Sequence, residues 1–111
     1  MQVCAALADP IRAEIVELLA TGDRTAGEIA ARFDVSRPAV SRHLRVLRET
    51  GLATVRNEAQ RRVYRLNPAP LLDLDDWMRR QRRHWEARLD ALGRHLDRME
   101  RVGGRPKGAR Q

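Results

Sequence analysis

Residues 36–51 read Ser-Arg-Pro-Ala-Val-Ser-Arg-His-Leu-Arg-Val-Leu-Arg-Glu-Thr-Gly and place guanidiniums and hydroxyls at helical spacing. Arginine holds phosphate and can form a forked pair of hydrogen bonds to guanine in a major groove, so the chemistry on offer is recognition of a polyanion. A 3.6-residue period gathers Val40, Leu44 and Leu47 into one apolar stripe. Arg37, Ser41, Arg45 and Arg48 fall on a contiguous stripe beside it, which Arg42 extends. Such a helix is anchored along one side and presents cations along another. The candidate groove-facing residues are Ser36, Arg37, Pro38, Ala39, Ser41, Arg42, His43 and Arg45. Arg37 and Arg42 are the leading candidates for base edges, with Ser41 and His43 as secondary contacts. The chain offers no nucleophile–base pair, phosphate-binding glycine loop or paired carboxylates, so the expectation is a protein that is not an enzyme.

The charge is placed to match. Of the 111 residues, 22 are Lys or Arg and 15 Asp or Glu, a formal net charge of +7. Residues 1–50 carry 7 basic and 7 acidic side chains, so the whole excess lies in 51–111. Within 36–65 eight arginines face only Glu49 and Glu58. A local excess of this kind suits nucleic acid, with an anionic membrane surface as the rival partner. One cysteine, Cys4, rules out an internal disulfide, and its expected place is buried in a short N-terminal helix. No secretory pattern opens the sequence and no apolar run reaches the roughly 20 residues needed to span a bilayer, so the expected location is the cytoplasm, at the nucleoid.

The positioning elements follow from local signals. A short helix is expected over 2–8, then one over about 10–20 that opens at Asp9-Pro10, a capping aspartate followed by a proline suited to a first turn. Thr25-Ala26-Gly27-Glu28 spells a capping box for a short helix over about 25–33. Asp34-Val35 makes the turn and Ser36 caps the arginine-rich helix. Two short helices joined by a tight turn form a helix-turn-helix. Residues 52–56 and 61–66 are strand-like, joined by the polar link 57–60, which predicts a two-stranded hairpin with Arg56, Arg61 and Arg62 near its tip. Arg61 and Arg62 are candidates for backbone or minor-groove contact.

After Pro68 and Pro70 a helix is expected over about 71–101. Leu71, Met78, Trp85, Leu89, Leu92, Leu96 and Met99 trace an apolar seam along it, interrupted at Asp75 and Arg82. A helix of roughly 45 Å carries more seam than so small a domain covers, which predicts pairing with a second copy. Trp77 and Trp85, eight residues apart, share a face and read as interface core. The expected dimer contacts are Leu7, Leu74, Trp77, Met78, Trp85, Leu89, Leu92 and Leu96. Residues 1–101 form the domain with its dimerisation helices, and 102–111 a basic, disordered tail.

Three segments in this order, Ala5-Leu-Ala-Asp-Pro-Ile-Arg12, Ser36-Arg-Pro-Ala-Val-Ser-Arg-His-Leu44 and Tyr64-Arg-Leu-Asn-Pro68, resemble the winged helix-turn-helix repressors of the ArsR/SmtB family. The resemblance spans roughly residues 5–100. It implies a mainly α (α+β) fold with a β wing and a long C-terminal dimerisation helix. It also implies a homodimeric repressor, in some members of such families an autorepressor, that binds an imperfect palindrome in double-stranded DNA. The Cys-x-Cys pair of the family's metal sensors would fall on Thr25 and Gly27, so that motif is absent. His84 and His95 have the ten-residue separation of another metal motif, but its acidic positions are Arg82 and Arg98. The expectation is therefore no metal and no cofactor. Gating by a metal or oxidant through His84, His95 or Cys4 stands as one alternative, and sequence-independent architectural DNA binding as another.

Overall fold

The structure, a computed structural model, describes residues 2–103. These fall into two units, one ending at Leu74 and the other starting at Asp75. The order of elements is α1 (Gln2–Leu7), α2 (Pro10–Ala20), β1 (Arg24–Thr25), α3 (Ala26–Ala31), α4 (Arg37–Glu49), β2 (Ala53–Glu58), β3 (Arg61–Leu66) and α5 (Ala69–Gly103). No helix among the described residues is long and apolar enough to cross a membrane.

In the first unit the helices start where their capping residues stand. The Asp9 carboxylate accepts the amides of Ile11 (2.9 Å) and Arg12 (3.1 Å), which opens α2. Thr25 and Glu28 complete a capping box, with Thr25 Oγ1 accepting from the Glu28 amide at 3.1 Å and Glu28 Oε1 from the Thr25 amide at 2.8 Å. Ser36 Oγ accepts the Ala39 amide at 3.2 Å and starts α4. Val40, Leu44 and Leu47 are buried, as their spacing predicts, and they pack with Ile15, Leu18, Leu19, Ile29 and Leu52.

The end of α4 is a Schellman turn. Gly51 takes φ +80°, its amide is held by the Arg48 carbonyl at 3.1 Å, and the Leu52 amide by the Leu47 carbonyl at 2.9 Å. Leu47 and Leu52, the pair this motif brings together, are both fully buried. Asn67 then ties the far end of the hairpin to the same corner, donating its amide to Leu52 and its side-chain nitrogen to Gly51.

The sheet differs from the expected two-stranded wing in two respects. It has three antiparallel strands in the order β1-β3-β2, because Arg24 and Thr25 pair with Tyr64 and Val63. Two residues are too few to show a strand period, so β1 left no trace in the sequence pattern. The hairpin link is also shorter than 57–60. Strand β2 continues to Glu58, which pairs with Arg61, and only Ala59 and Gln60 turn the chain. The pairing of Asn57 with Arg62 and of Glu58 with Arg61 sets polar and oppositely charged side chains across from each other, which keeps a polar stretch in the ladder. The tightened turn puts Ala59 at φ +56°.

Cys4 is exposed, contrary to the buried position expected for it. Helix α1 buries Ala6 and half-buries Val3 and Leu7, and with only six residues it has a single inward face that excludes position 4. Helix α5 begins two residues before and ends two residues after its expected limits. The part of the expected tail at 104–111 lies outside the described residues. Within the second unit α5 leaves Trp77, Met78, Trp85, Leu89, Leu92, Leu96 and Met99 exposed.

The positive-φ residues before the hairpin, Gly51, and at its turn, Ala59, should respond to substitution in opposite senses. A Cβ on Gly51 would meet Pro70 Cγ at an ordinary 3.7 Å, so Gly51→Ala carries the backbone cost alone and should lose about 1 kcal/mol. Ala59→Gly should gain up to about 1 kcal/mol by relieving the same kind of strain. Urea unfolding midpoints of the two variants against the parent check both signs.

Candidate nucleic-acid interface

Helix α4 divides its side chains as the sequence pattern requires. Arg37, Pro38, Ser41, Arg42, Arg45 and Arg48 are exposed, and Ala39 is half-buried. Arg37, Arg42, Arg45 and Arg48 engage in no ion pair or side-chain hydrogen bond among the described residues, so four guanidiniums stand unneutralised on one helix. Ser36 Oγ spends a lone pair on its cap and keeps its proton to donate outward. Glu49 is the one acid on α4 and sits in its last turn, far from the N-terminal end where Ser36, Arg37 and Pro38 lie.

His43 behaves differently from its neighbours. Its side chain is only 17% exposed and lies against the start of α2. Arg12 Nη1 stands 3.3 Å from its Nδ1, and its Nε2 is 4.0 Å from Asp9 Oδ1. Arg12 also donates to the Ala6 carbonyl at 2.8 Å and to the Ala5 carbonyl at 3.3 Å, at the end of α1, where the Ala5 carbonyl also accepts the Ala8 amide at 3.3 Å. The sequence reading of His43 as an outward group missed this cluster, because its partners lie 31 or more residues away.

The hairpin carries its arginines on two faces. Successive strand residues alternate, so Arg61 and Arg62 project to opposite sides. The Arg62 guanidinium stands over the Tyr64 ring at 5.9 Å. Arg61 is mostly exposed, with a loose 4.0 Å approach to Glu58. Arg56, in contrast, is occupied: it donates to Asp23 and to Glu58, both at 2.9 Å. These bonds, that to Asp23 foremost, hold its guanidinium above the ordinary arginine value. Asp23 also reaches Arg65 at 3.8 Å, so one carboxylate in the α2–β1 loop partly neutralises two strand arginines. A pairing across 33 residues has no sequence signal, and Asp23 was not among the residues singled out.

Among the described residues no three His, Cys, Asp or Glu side chains stand together as a metal would require. On α5, Trp77, Met78, Gln81, Arg82 and Trp85 line an open groove of about 330 Å³.

Comparison with known proteins places this arrangement among regulators. Residues 9–55 match the family described as bacterial regulatory protein, arsR family. The chain is 44% identical over 92 residues to the HTH-type transcriptional regulator Rv2034 of Mycobacterium tuberculosis, covering 79% of this chain and 86% of that one. It is 40% identical over 73 residues to the transcriptional repressor SdpR of Bacillus subtilis, covering 66% and 81%. Among solved structures it is similar to an ArsR-like transcriptional regulator from Rhodococcus sp. RHA1, with a TM-score of 0.75 at 33% identity over 84% of this chain and 88% of that one.

The capping carboxylates make part of the stability depend on pH. The Arg12 amide, with the Ile11 amide and the neighbouring His43 and Arg12 side chains adding to it, holds Asp9 below its ordinary 3.8. The Thr25 amide and hydroxyl do the same for Glu28, below 4.5. A depressed carboxyl contributes stability above its unfolded value and loses it as pH falls through the folded one. Asp9→Ala should therefore lower the urea midpoint at pH 7, and the gap to the parent should narrow as pH falls below 3.8. Unfolding curves at both ends of that range measure it.

Proposed function

This chain belongs to the arsR family of bacterial DNA-binding transcriptional regulators, and we propose that it is a homodimeric repressor that reads an imperfect palindrome. The observation that carries this reading is the set of four unpaired guanidiniums on α4, beside a buried stripe that holds the helix with those groups outward. A recognition helix is used in this way when its N-terminal side chains meet base edges and its cations meet phosphate. In the proposed complex Ser36, Arg37, Pro38, Ala39, Ser41, Arg42 and Arg45 face the major groove. Arg37 and Arg42 take base edges. Arg61 and Arg62 on the hairpin take backbone or the minor groove. His43, turned toward α2, leaves the list of direct contacts.

Dimerisation supplies the two-fold symmetry that a palindrome needs. Trp77, Met78, Trp85, Leu89, Leu92 and Leu96 are the proposed contacts on the second unit, and Leu7 and Leu74 on the first. The apolar side chains that α5 exposes in a single chain support this: Trp85 and Leu89 are each 64% exposed, an unusual state for large apolar groups unless a partner covers them. In this reading the protein works in the cytoplasm on chromosomal DNA, and regulation of its own gene is one form the repression takes.

The reading is tested by incubating purified protein with sheared genomic DNA at moderate salt and sequencing what is retained. One enriched palindrome supports a specific dimeric regulator. Uniform retention would falsify it in favour of sequence-independent binding. On the enriched site Arg42→Ala should cost about 1–3 kcal/mol and relax the sequence preference. Arg61→Ala should weaken all duplexes alike and reduce the slope of log affinity against log salt by about one unit. Leu89→Asp with Leu92→Asp should shift the chain from dimer to monomer in analytical ultracentrifugation, and unchanged sedimentation would remove α5 from the interface.

A further inference from the structure

The cluster of Arg12, His43 and Asp9 lies outside the proposed DNA-facing surface, yet it holds the helix that carries that surface. Arginine only donates, so the 3.3 Å approach of Arg12 Nη1 to His43 Nδ1 makes Nδ1 the acceptor. The ring then carries its proton on Nε2, facing Asp9 Oδ1 at 4.0 Å. The same guanidinium donates through Nε and Nη2 to the Ala6 and Ala5 carbonyls. Asp9 meanwhile caps α2 through the Ile11 and Arg12 amides. One arginine thus joins three helices: the end of α1, the first turn of α2 and the middle of α4.

The apolar stripe of α4 cannot do this work alone. Val40, Leu44 and Leu47 decide which side of α4 is inward, but their attraction has no direction of its own, and it sets the turn of the helix about its axis only coarsely. A rotation of about 10° moves a side chain at roughly 6 Å from the axis by about 1 Å. That is enough to spoil a forked hydrogen bond, since recognition groups must be held to within roughly 0.5 Å. A directional hydrogen bond to a ring on α4 removes the freedom. From this geometry we infer that Arg12 and His43 are positioning residues for sequence recognition: the Arg12–His43 bond sets the rotation of α4 and with it the aim of Arg37 and Arg42. The inference rests on the proposed reading of α4 as the recognition helix. It assigns His43 a role in specificity without contact to DNA.

The test uses substitutions that differ in which ring nitrogen they replace. The carbonyl of asparagine reaches the place of Nδ1, and that of glutamine the place of Nε2. The probe is a fluorescein-labelled duplex enriched by the parent chain from a random pool, measured against a scrambled duplex of equal composition. His43→Asn should keep the preference for the enriched duplex. His43→Gln should lose roughly three- to thirty-fold of it, the range of effects found for coupling residues that touch no ligand. The salt slope should stay at the parent value, because no phosphate contact is removed. Arg12→Lys, which also disturbs the bonds to the Ala5 and Ala6 carbonyls, should lose at least as much preference, and adding it to His43→Gln should cost less than the sum of the two, because they share the Arg12–His43 bond.

Equal behaviour of the Asn and Gln variants overturns the inference, whether both keep the preference or both lose it. So does a parallel fall in stability and salt slope, which would mark His43 as packing alone. If the parent chain enriches no duplex, the recognition reading itself fails, and the two failures are thereby distinguished.

Discussion

Leu47 and Leu52 are both fully buried, and the amide of Leu52 closes on the carbonyl of Leu47. This turn fixes more than the end of α4. It decides which side of the helix is inward, because Leu47 shares its stripe with Val40 and Leu44. It also launches β2 from a set point, since Asn67 returns from the hairpin to bind Leu52 and Gly51. The helix face and the hairpin, the two surfaces that carry unpaired arginine, are thus referenced to one corner. The positive φ of Gly51 makes that corner possible.

Charge is sorted by what each arginine can reach. The chain has many arginines, and their number alone says little about binding. On α4 the exposed arginines form no ion pair among the described residues, so their charge is available to a polyanion. On the strands Asp23 and Glu58 occupy Arg56 and draw on Arg65 and Arg61 to lesser degrees. The pairs are largely exposed and add little to stability. Their effect is to leave free positive charge at α4 and at Arg62, with Arg61 only loosely engaged by Glu58. Arg12 is different again, because its donors go to two backbone carbonyls and a ring nitrogen, which makes it a structural connector.

The apolar side chains of α5 pose the opposite question, of what should cover them. A buried helix is apolar around its circumference and a lone surface helix polar on all exposed faces. The second unit fits neither description: between its many charges run tryptophan, methionine and leucine at three- and four-residue steps. A second copy would meet the same pattern with the same spacing, and this is the basis of the self-association proposed for the seam.

The sequence alone carried features held by interactions within about four residues: the caps at Asp9 and Ser36, the Thr25–Glu28 capping box, the buried stripe of α4 and the glycine that ends it, though not the equally local turn at Ala59 and Gln60. It also carried the family likeness and the helix-turn-helix with its hairpin. Those signals are legible because the donor, the acceptor and the helical period all lie in one short window. The tertiary structure alone decided what depends on contacts between distant segments. The third strand rests on Arg24 and Thr25 finding β3. The inward turn of His43 rests on Arg12, 31 residues away, and the occupation of Arg56 on Asp23, 33 residues away. The exposure of Cys4 depends on which face of a six-residue helix the core selects. None of these has a period or a spacing that a reading along the chain can register, because the bringing together of such groups is a result of folding.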